Sequence, residues 1–261
     1  MSSTPSKYYK LGIGEGLEAL YVKNYNSSFP FHYHPTYNIT LVYDGSFNTQ
    51  LSDKLLVSPM GTILITNPQE IHANPFEKHS SVSFFTFYVS QDFMEYCNQG
   101  RPVVFNEKVI YDVLLFAALH QLATTIHQTK IGPRHEQELG KMLQQLASKH
   151  GDDHVETPDL QMKSMFDDFF AEENMKFSLA DAAKRFGIDK FKFIRLFKSQ
   201  TGLTPNNYFI LKRIEKSKAM LAEGKDLLSI AIDLGFYDTA HYCNHFKKFT
   251  GISPIAYSTN L

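Results

Sequence analysis

The spacing of apolar and polar positions changes character once along this chain. Between residues 20 and 90 the period is two. Tyr37 to Tyr43 reads YNITLVY, which sets Tyr37, Ile39, Leu41 and Tyr43 on one face of a strand. Asp44-Gly45 then marks a turn. Gly61 to Thr66 (GTILIT), closed by Asn67-Pro68, and Ser83 to Val89 (SFFTFYV) are two further strand candidates. Short aromatic and β-branched strands with such turns predict a β-barrel or sandwich. From about Val109 the period becomes helical. Val109–Gln128 and His135–Lys149 are amphipathic, and Gly132-Pro133 separates them, so a helical hairpin is expected. The polar segment 151–159, GDDHVETPD, is read as an interdomain linker.

After Leu160 the whole chain is patterned as helices. Asp159–Glu173 is one. Ser178 caps Leu179–Phe186, which stops at Gly187. Asp189 caps a helix to about Thr201, before Gly202. Thr204-Pro205 supplies cap and first turn for a long helix to Glu223. A short helix around Leu228–Leu234 ends at Gly235. Asp238 caps another to about Thr250, and Ser253-Pro254 opens the last. The order of helix, tight glycine turn and second helix is that of a helix-turn-helix, and it occurs twice.

The duplication is visible residue by residue. FKSQTGLTPNNY at 197–208 and FKKFTGISPIAY at 246–257 match at Phe197/Phe246, Gly202/Gly251, Pro205/Pro254 and Tyr208/Tyr257, all 49 residues apart. On the helix after Asp189, Phe193, Leu196, Phe197 and Gln200 share an inward face. Phe191, Ile194, Arg195 and Lys198 share another with no evident core to cover. The second copy presents Ala240, Cys243, Asn244 and Lys247 there, with Thr239 beside them. Such a face suits the major groove of DNA. Arg pairs with guanine, Asn with adenine, and apolar groups touch thymine methyls. Lys192, Lys198, Lys247 and Lys248 suit phosphates. The long helix from Pro205 is of a length to hold the two reading helices in successive major grooves, about 34 Å apart.

Charge supports a polyanion partner. Lys and Arg number 11 against 16 Asp and Glu before residue 160, and 15 against 11 after it. The remaining bounds are broad. A chain of 261 residues makes one to two domains. Two cysteines, Cys97 and Cys243, fit a reduced compartment and cannot build a cysteine-rich zinc site. No run approaches a membrane span, and MSSTPSKYYK lacks the apolar core of a secretion signal, so a cytoplasmic protein is expected.

Residues 160–261 resemble the DNA-binding domain of the AraC/XylS family of bacterial transcription regulators. The matching residues are Leu179–Ala183, Gly187, Arg195, Phe197-Lys198, Gly202, Thr204-Pro205, Tyr208, Arg213, Gly235-Phe236, Phe246-Lys247, Gly251, Ser253-Pro254 and Tyr257. The resemblance implies base-reading roles for Phe191, Ile194 and Arg195, and for Thr239, Ala240, Cys243 and Asn244. The copies differ: Asn244 stands where the family often has Arg, and His245 where the first copy has Leu196.

In the N-terminal half, His32 and His34 alternate, Asn38 follows, and His72 comes later. This resembles the metal-binding pattern of cupin barrels, with Asn38 in place of the usual carboxylate. AraC-like regulators commonly carry a cupin-like sensor without metal. That reading makes His32, His34, Tyr37, Asn38 and His72 the lining of a small-effector pocket, with no metal or cofactor expected. The implied fold is α+β. Residues 1–105 form a cupin-like β-barrel and 106–150 a helical hairpin placed where such regulators often dimerise, though its stripe of Leu115, Leu119 and Leu122 is of a kind that more often packs within the chain. Residues 160–261 form an all-α domain of two helix-turn-helix units joined by a long helix. The implied function is an effector-controlled transcription factor, an activator rather than an enzyme. Its partners are double-stranded DNA, a small molecule, RNA polymerase and a second copy of itself. The rival is a metal-dependent cupin enzyme with an appended DNA-binding domain. A DNA-repair methyltransferase, which shares a similar helix-turn-helix domain, is disfavoured because its zinc-activated thiolate site needs more than two cysteines.

Overall fold

The computed structural model describes residues 6–11, 17–77, 80–128, 132–152 and 178–259. These fall into two compact units: the first holds the described residues up to 28 and from 33 to 152, the second residues 29–32 and 178–259. The expected helix at 159–173 and most of the linker at 151–159 lie outside the described residues.

Apart from β3 (Phe29–His32), which belongs to the second unit, the first unit begins with β1 (Ser6–Lys10), β2 (Leu17–Tyr25), β4 (Tyr37–Asp44), β5 (Ser46–Gln50), β6 (Leu55–Pro59), β7 (Ile63–Thr66), β8 (His72–Asn74) and β9 (Val82–Val89). Helix α1 (Gln91–Cys97), strand β10 (Val109–Ile110) and helices α2 (Val113–Gln128) and α3 (Pro133–His150) complete it. Its strands form a six-stranded antiparallel sheet, β1-β2-β9-β4-β7-β10, and a smaller sheet in which β8, β5 and β6 are neighbours in that order. The expected barrel is therefore two sheets that are not hydrogen-bonded into one closed cylinder among the described residues. The sheets face each other where the rings of Phe47 and Phe84 meet at 4.7 Å.

Alternation assigns the faces of the larger sheet. Ala19, Ile39, Leu41, Ile63, Ile65, Phe85, Phe87 and Val89 point to the helices and are buried with Leu115, Leu119, Leu122, Leu139, Leu143 and Leu146. At about 25 cal/mol per Å² of apolar surface, this layer dominates the stability of the unit. The leucine stripe of α2 is thus buried by packing within the chain, as such a stripe more often is. The other sheet face holds Asn38, Thr40, Leu64, Thr66, Phe84, Thr86 and Tyr88 by cross-strand register. The Asp44-Gly45 turn works because Gly45 takes φ +73°, and a Cβ there would lie 2.2 Å from the Ser81 carbonyl oxygen.

The second unit is helical: α4 (Leu179–Arg185), α5 (Lys190–Thr201), α6 (Pro205–Ala222), α7 (Leu227–Asp233), α8 (Thr239–Thr250) and α9 (Pro254–Ser258). Ser178, Asp189, Thr204, Asp238 and Ser253 each accept a first-turn N–H, as their positions predict. Asp226 caps α7 in the same way.

Candidate functional site

The two helix-turn-helix copies share geometry as well as sequence. Phe193 and Phe197 on α5 are fully buried, as are Tyr242 and Phe246 on α8. Phe197 meets Tyr208 edge-on at 5.3 Å, and Phe246 meets Tyr257 edge-on at 5.5 Å. Phe186 packs on Phe193 at 5.3 Å, and Phe236 on Tyr242 at 5.2 Å. Gly187 and Gly235 end the leading helices at φ +65° and +69°, while Gly202 and Gly251 end the following ones at +69° and +80°. The left-handed conformation turns the chain sharply, and glycine adopts it without strain. Each α5/α8 axis is therefore fixed by one aromatic face and two caps.

That leaves the opposite faces open. Phe191 is 60% exposed, Lys192, Arg195 and Lys198 are exposed, and Ile194 is half-buried. On α8, Ala240, Asn244, Lys247 and Lys248 are exposed, and Thr239 and Cys243 half-buried. All eleven expected DNA-facing residues thus lie on α5 and α8, and none is in a core. At the α5 N-terminus, the Lys192 N–H above all holds the Asp189 carboxyl below its usual range. Arg213 on α6 donates to the Gly235 carbonyl at 2.9 Å and stacks over Phe209 and Phe236, which ties the long helix to the second copy. This clamp was not legible in spacing, because it bridges residues 22 apart with no periodic signal.

The copies differ at one polar pair. His245 Nε2 lies 3.0 Å from His241 Nε2, and its ring packs between those of Phe236 and Phe249. Burial, then His241 and Lys248, lower the His245 pKa. Its Nδ1 is buried without a hydrogen-bond partner.

Of the three expected pocket histidines, His34 and His72 lie in the first unit, and His32, on β3, lies in the second. His32 Nδ1 is 2.7 Å from the Pro30 carbonyl and His72 Nδ1 is 2.8 Å from that of Glu70. His34 meets the rings of His72 and Tyr88 at 5.7 and 5.4 Å. Asn38 is the register partner of both Tyr88 and Thr66, which puts its side chain on the same face as Tyr88. Tyr37 lies on the opposite face: its hydroxyl donates to the Val103 carbonyl at 2.7 Å in the helix-packed core, and burial pushes its pKa to about 12. Of the expected pocket residues in the first unit, His34, Asn38 and His72 therefore share a side and Tyr37 does not. Burial lowers the His72 pKa. A separate open cleft of ≈ 330 Å³ is lined by Tyr25, Phe47, Asn48, Asn74, Phe76 and Glu77, among others, and by none of the five.

Comparison with known proteins gives this geometry a family. The model of the AraC-like ligand binding domain matches residues 16–150, just over half of the chain, and a helix-turn-helix domain model matches 182–260. An HTH-type transcriptional regulator of Bacillus subtilis, YbfI, is 27% identical over 236 residues, covering 86% of this chain and 85% of its own. The transcriptional activator RhaS of Escherichia fergusonii is 30% identical over 105 residues, 40% of this chain and 37% of its own. The fold is that of ToxT from Vibrio cholerae, with a TM-score of 0.58 at 13% identity over 100% of this chain and 98% of that one. No helix among the described residues is long and apolar enough to cross a membrane. With two helix-turn-helix copies behind an AraC-like ligand-binding domain, the chain belongs to the AraC family of transcriptional regulators.

Proposed function

We propose that this regulator is not an enzyme but an activator that reads a bipartite DNA site with α5 and α8, under control of a small molecule held by the first unit. The observation that carries the reading is the pair of capped helices with equivalent buried aromatic faces and equivalent open polar faces. On α5, Arg195 is the base-reading cation, with Phe191 and Ile194 as apolar contacts. On α8, Asn244 takes the corresponding place, with Thr239, Ala240 and Cys243 around it. Lys192, Lys198, Lys247 and Lys248 take phosphates. Helix α6 has 18 residues and so spans about 27 Å, which is compatible with two readers about one DNA turn apart.

The effector would sit on the polar side of the larger sheet, where Asn38, Tyr88, His34 and His72 lie. Its binding shifts the population of DNA-competent and polymerase-competent states. The activating role follows the RhaS relative and the cytoplasmic location follows the family. A dimer, if formed, uses a surface other than the buried leucine stripe of α2.

The test is selection of duplexes from a random pool by the full chain. The expected result is a motif with two halves about 10 base pairs apart. Failure to enrich any sequence, or enrichment of a single half, would overturn the bipartite reading.

A further inference from the structure

The two helix-turn-helix copies carry different side chains at one equivalent position beside their open faces. Lys192 is the third residue of α5, and His241, 49 positions later, is the third residue of α8. The same device sets both backbones. Asp189 accepts the Lys192 N–H at 2.9 Å, and Asp238 accepts the His241 N–H at 2.6 Å. Lys192 is exposed and His241 half-buried. Lysine stays charged throughout the neutral range, whereas histidine is the side chain whose charge changes between pH 5 and 8.

The hydrogen bonds around His241 fix where its proton is. The Tyr237 N–H donates to His241 Nδ1 at 3.4 Å, so Nδ1 holds a lone pair and the ring proton is on Nε2. That proton points at His245 Nε2, 3.0 Å away, which accepts it. The His245 proton is then on Nδ1, which is buried with no hydrogen-bond partner. A further proton has two places to go. On His245 Nε2 it would break the bond between the rings and put a charge between Phe236 and Phe249, where burial opposes it. On His241 Nδ1 it keeps the bond to His245 and makes it charge-assisted. It also turns two donors, the Nδ1–H and the Tyr237 N–H, toward one spot, and an anionic oxygen there accepts from both.

The free protein offers that cation little. The charged and titratable groups packed around the pair are Lys248 and the capping Asp238 on α8, Asp233 on α7, Arg213 on α6 and His32 on β3. Asp233 holds Lys225, Asp238 is committed to the cap, and Lys248 adds positive charge. His241 makes no ion pair among the described residues.

We propose that His241 is a DNA phosphate ligand of α8 and takes up one proton as it binds. This rests on the reading of DNA by α5 and α8. One proton moves from solvent to His241 Nδ1, and the Nδ1–H and the Tyr237 N–H then donate to one phosphate oxygen in place of their bond to each other. The α8 half of the site is therefore held more tightly as pH falls. The Lys192 contact in the α5 half is indifferent to pH over the same range.

The experiment measures the affinity of the full chain for its selected duplex at pH 6, 7 and 8, with a salt titration at each pH. Wild type should bind about tenfold more tightly at pH 6 than at pH 8, with a salt slope steeper by about 0.9 at pH 6. His241→Gln should flatten the profile and lose affinity at pH 6 only. His241→Lys should keep the pH 6 affinity and extend it to pH 8. His245→Leu, which removes the acceptor of the Nε2 proton, should move the midpoint of the profile to lower pH. Thermal melts check that the variants fold. If one does not, wild type decides on duplexes with one neutral methylphosphonate at a time, since a single position in the α8 half should abolish the pH dependence. A profile kept in full by His241→Gln, or a pH response that no methylphosphonate removes, would overturn the proposal. Specific binding with a flat wild-type profile overturns this inference alone, whereas a chain that selects no sequence overturns the DNA reading with it.

Discussion

Thr201 and Thr250, 49 residues apart, make the same three hydrogen bonds at the ends of α5 and α8. The Thr201 hydroxyl lies 2.8 Å from the Phe197 carbonyl and 3.1 Å from that of Leu203, and accepts from the Leu203 N–H at 3.3 Å. Thr250 repeats this with Phe246 and Ile252 at 2.7, 3.0 and 3.4 Å. Each hydroxyl closes the turn that carries the following proline helix. Thr201→Val keeps the shape but leaves a buried N–H unsatisfied, so it should cost about 1–3 kcal/mol. Thr250→Val should cost less, because Thr250 is only half-buried. Thermal melts of the two variants test the order. Equal, negligible losses would show that the turns hold without their hydroxyls.

Asp112 joins the two ends of the helical hairpin. It accepts the Leu115 N–H at 2.9 Å and holds Lys149 at 3.1 Å. The Leu115 N–H first, and Lys149 next, bring its pKa to about 2. A depressed carboxylate contributes stability above its unfolded value near 3.9 and loses it as pH falls toward the folded value. The first unit should therefore weaken between about pH 4 and pH 2. Asp112→Ala should cost about 1 kcal/mol at neutral pH, mostly through the lost cap, since Lys149 is half exposed and its ion pair adds little. It should also flatten that acid limb. A limb of unchanged height in the variant would assign it to other carboxylates.

His245 occupies the place of Leu196 in the first copy, and it is the poorer residue there. Its buried Nδ1 lacks a partner, and burial with His241 and Lys248 nearby disfavours its protonated form. The unfolded chain takes up that proton near pH 6.5, so the helical unit should lose stability as pH falls through that value. His245→Leu should raise stability by roughly 1 kcal/mol and remove that dependence. Melting curves at pH 5.5 and 8 check this. A variant that is less stable, or that keeps the full pH dependence, would contradict it.

The helical unit was more legible in the sequence than the sheet unit, for physical reasons. Caps act locally, so Ser178, Asp189, Thr204, Asp238 and Ser253 announce helix starts without tertiary information. The 49-residue period then separates an inward face from an open one. In the sheet unit the alternation of Tyr37, Ile39 and Leu41 gave the shared face of β4, but not which layer covered it. Tyr37 and Asn38, adjacent in sequence, accordingly face opposite sides of the sheet. Strands β1, β2 and β5 and the short helix α1 carry weaker patterns, since each is short or half-exposed and mixes buried and solvent-facing positions. The leucine stripe of α2 was plain in sequence, but periodicity cannot say whether a sheet or a second copy buries it.

The central claim is that α5 and α8 read separate parts of one DNA site. The most direct test is a base-substitution scan of the selected operator against the wild type, Arg195→Ala and Asn244→Ala. Arg195→Ala should lose about 1–3 kcal/mol and relax preference at one base pair in one half. Asn244→Ala should relax a different base pair, about 10 base pairs away, and cost no more. Relaxation of the same base pair by both variants, or of none, would contradict the account.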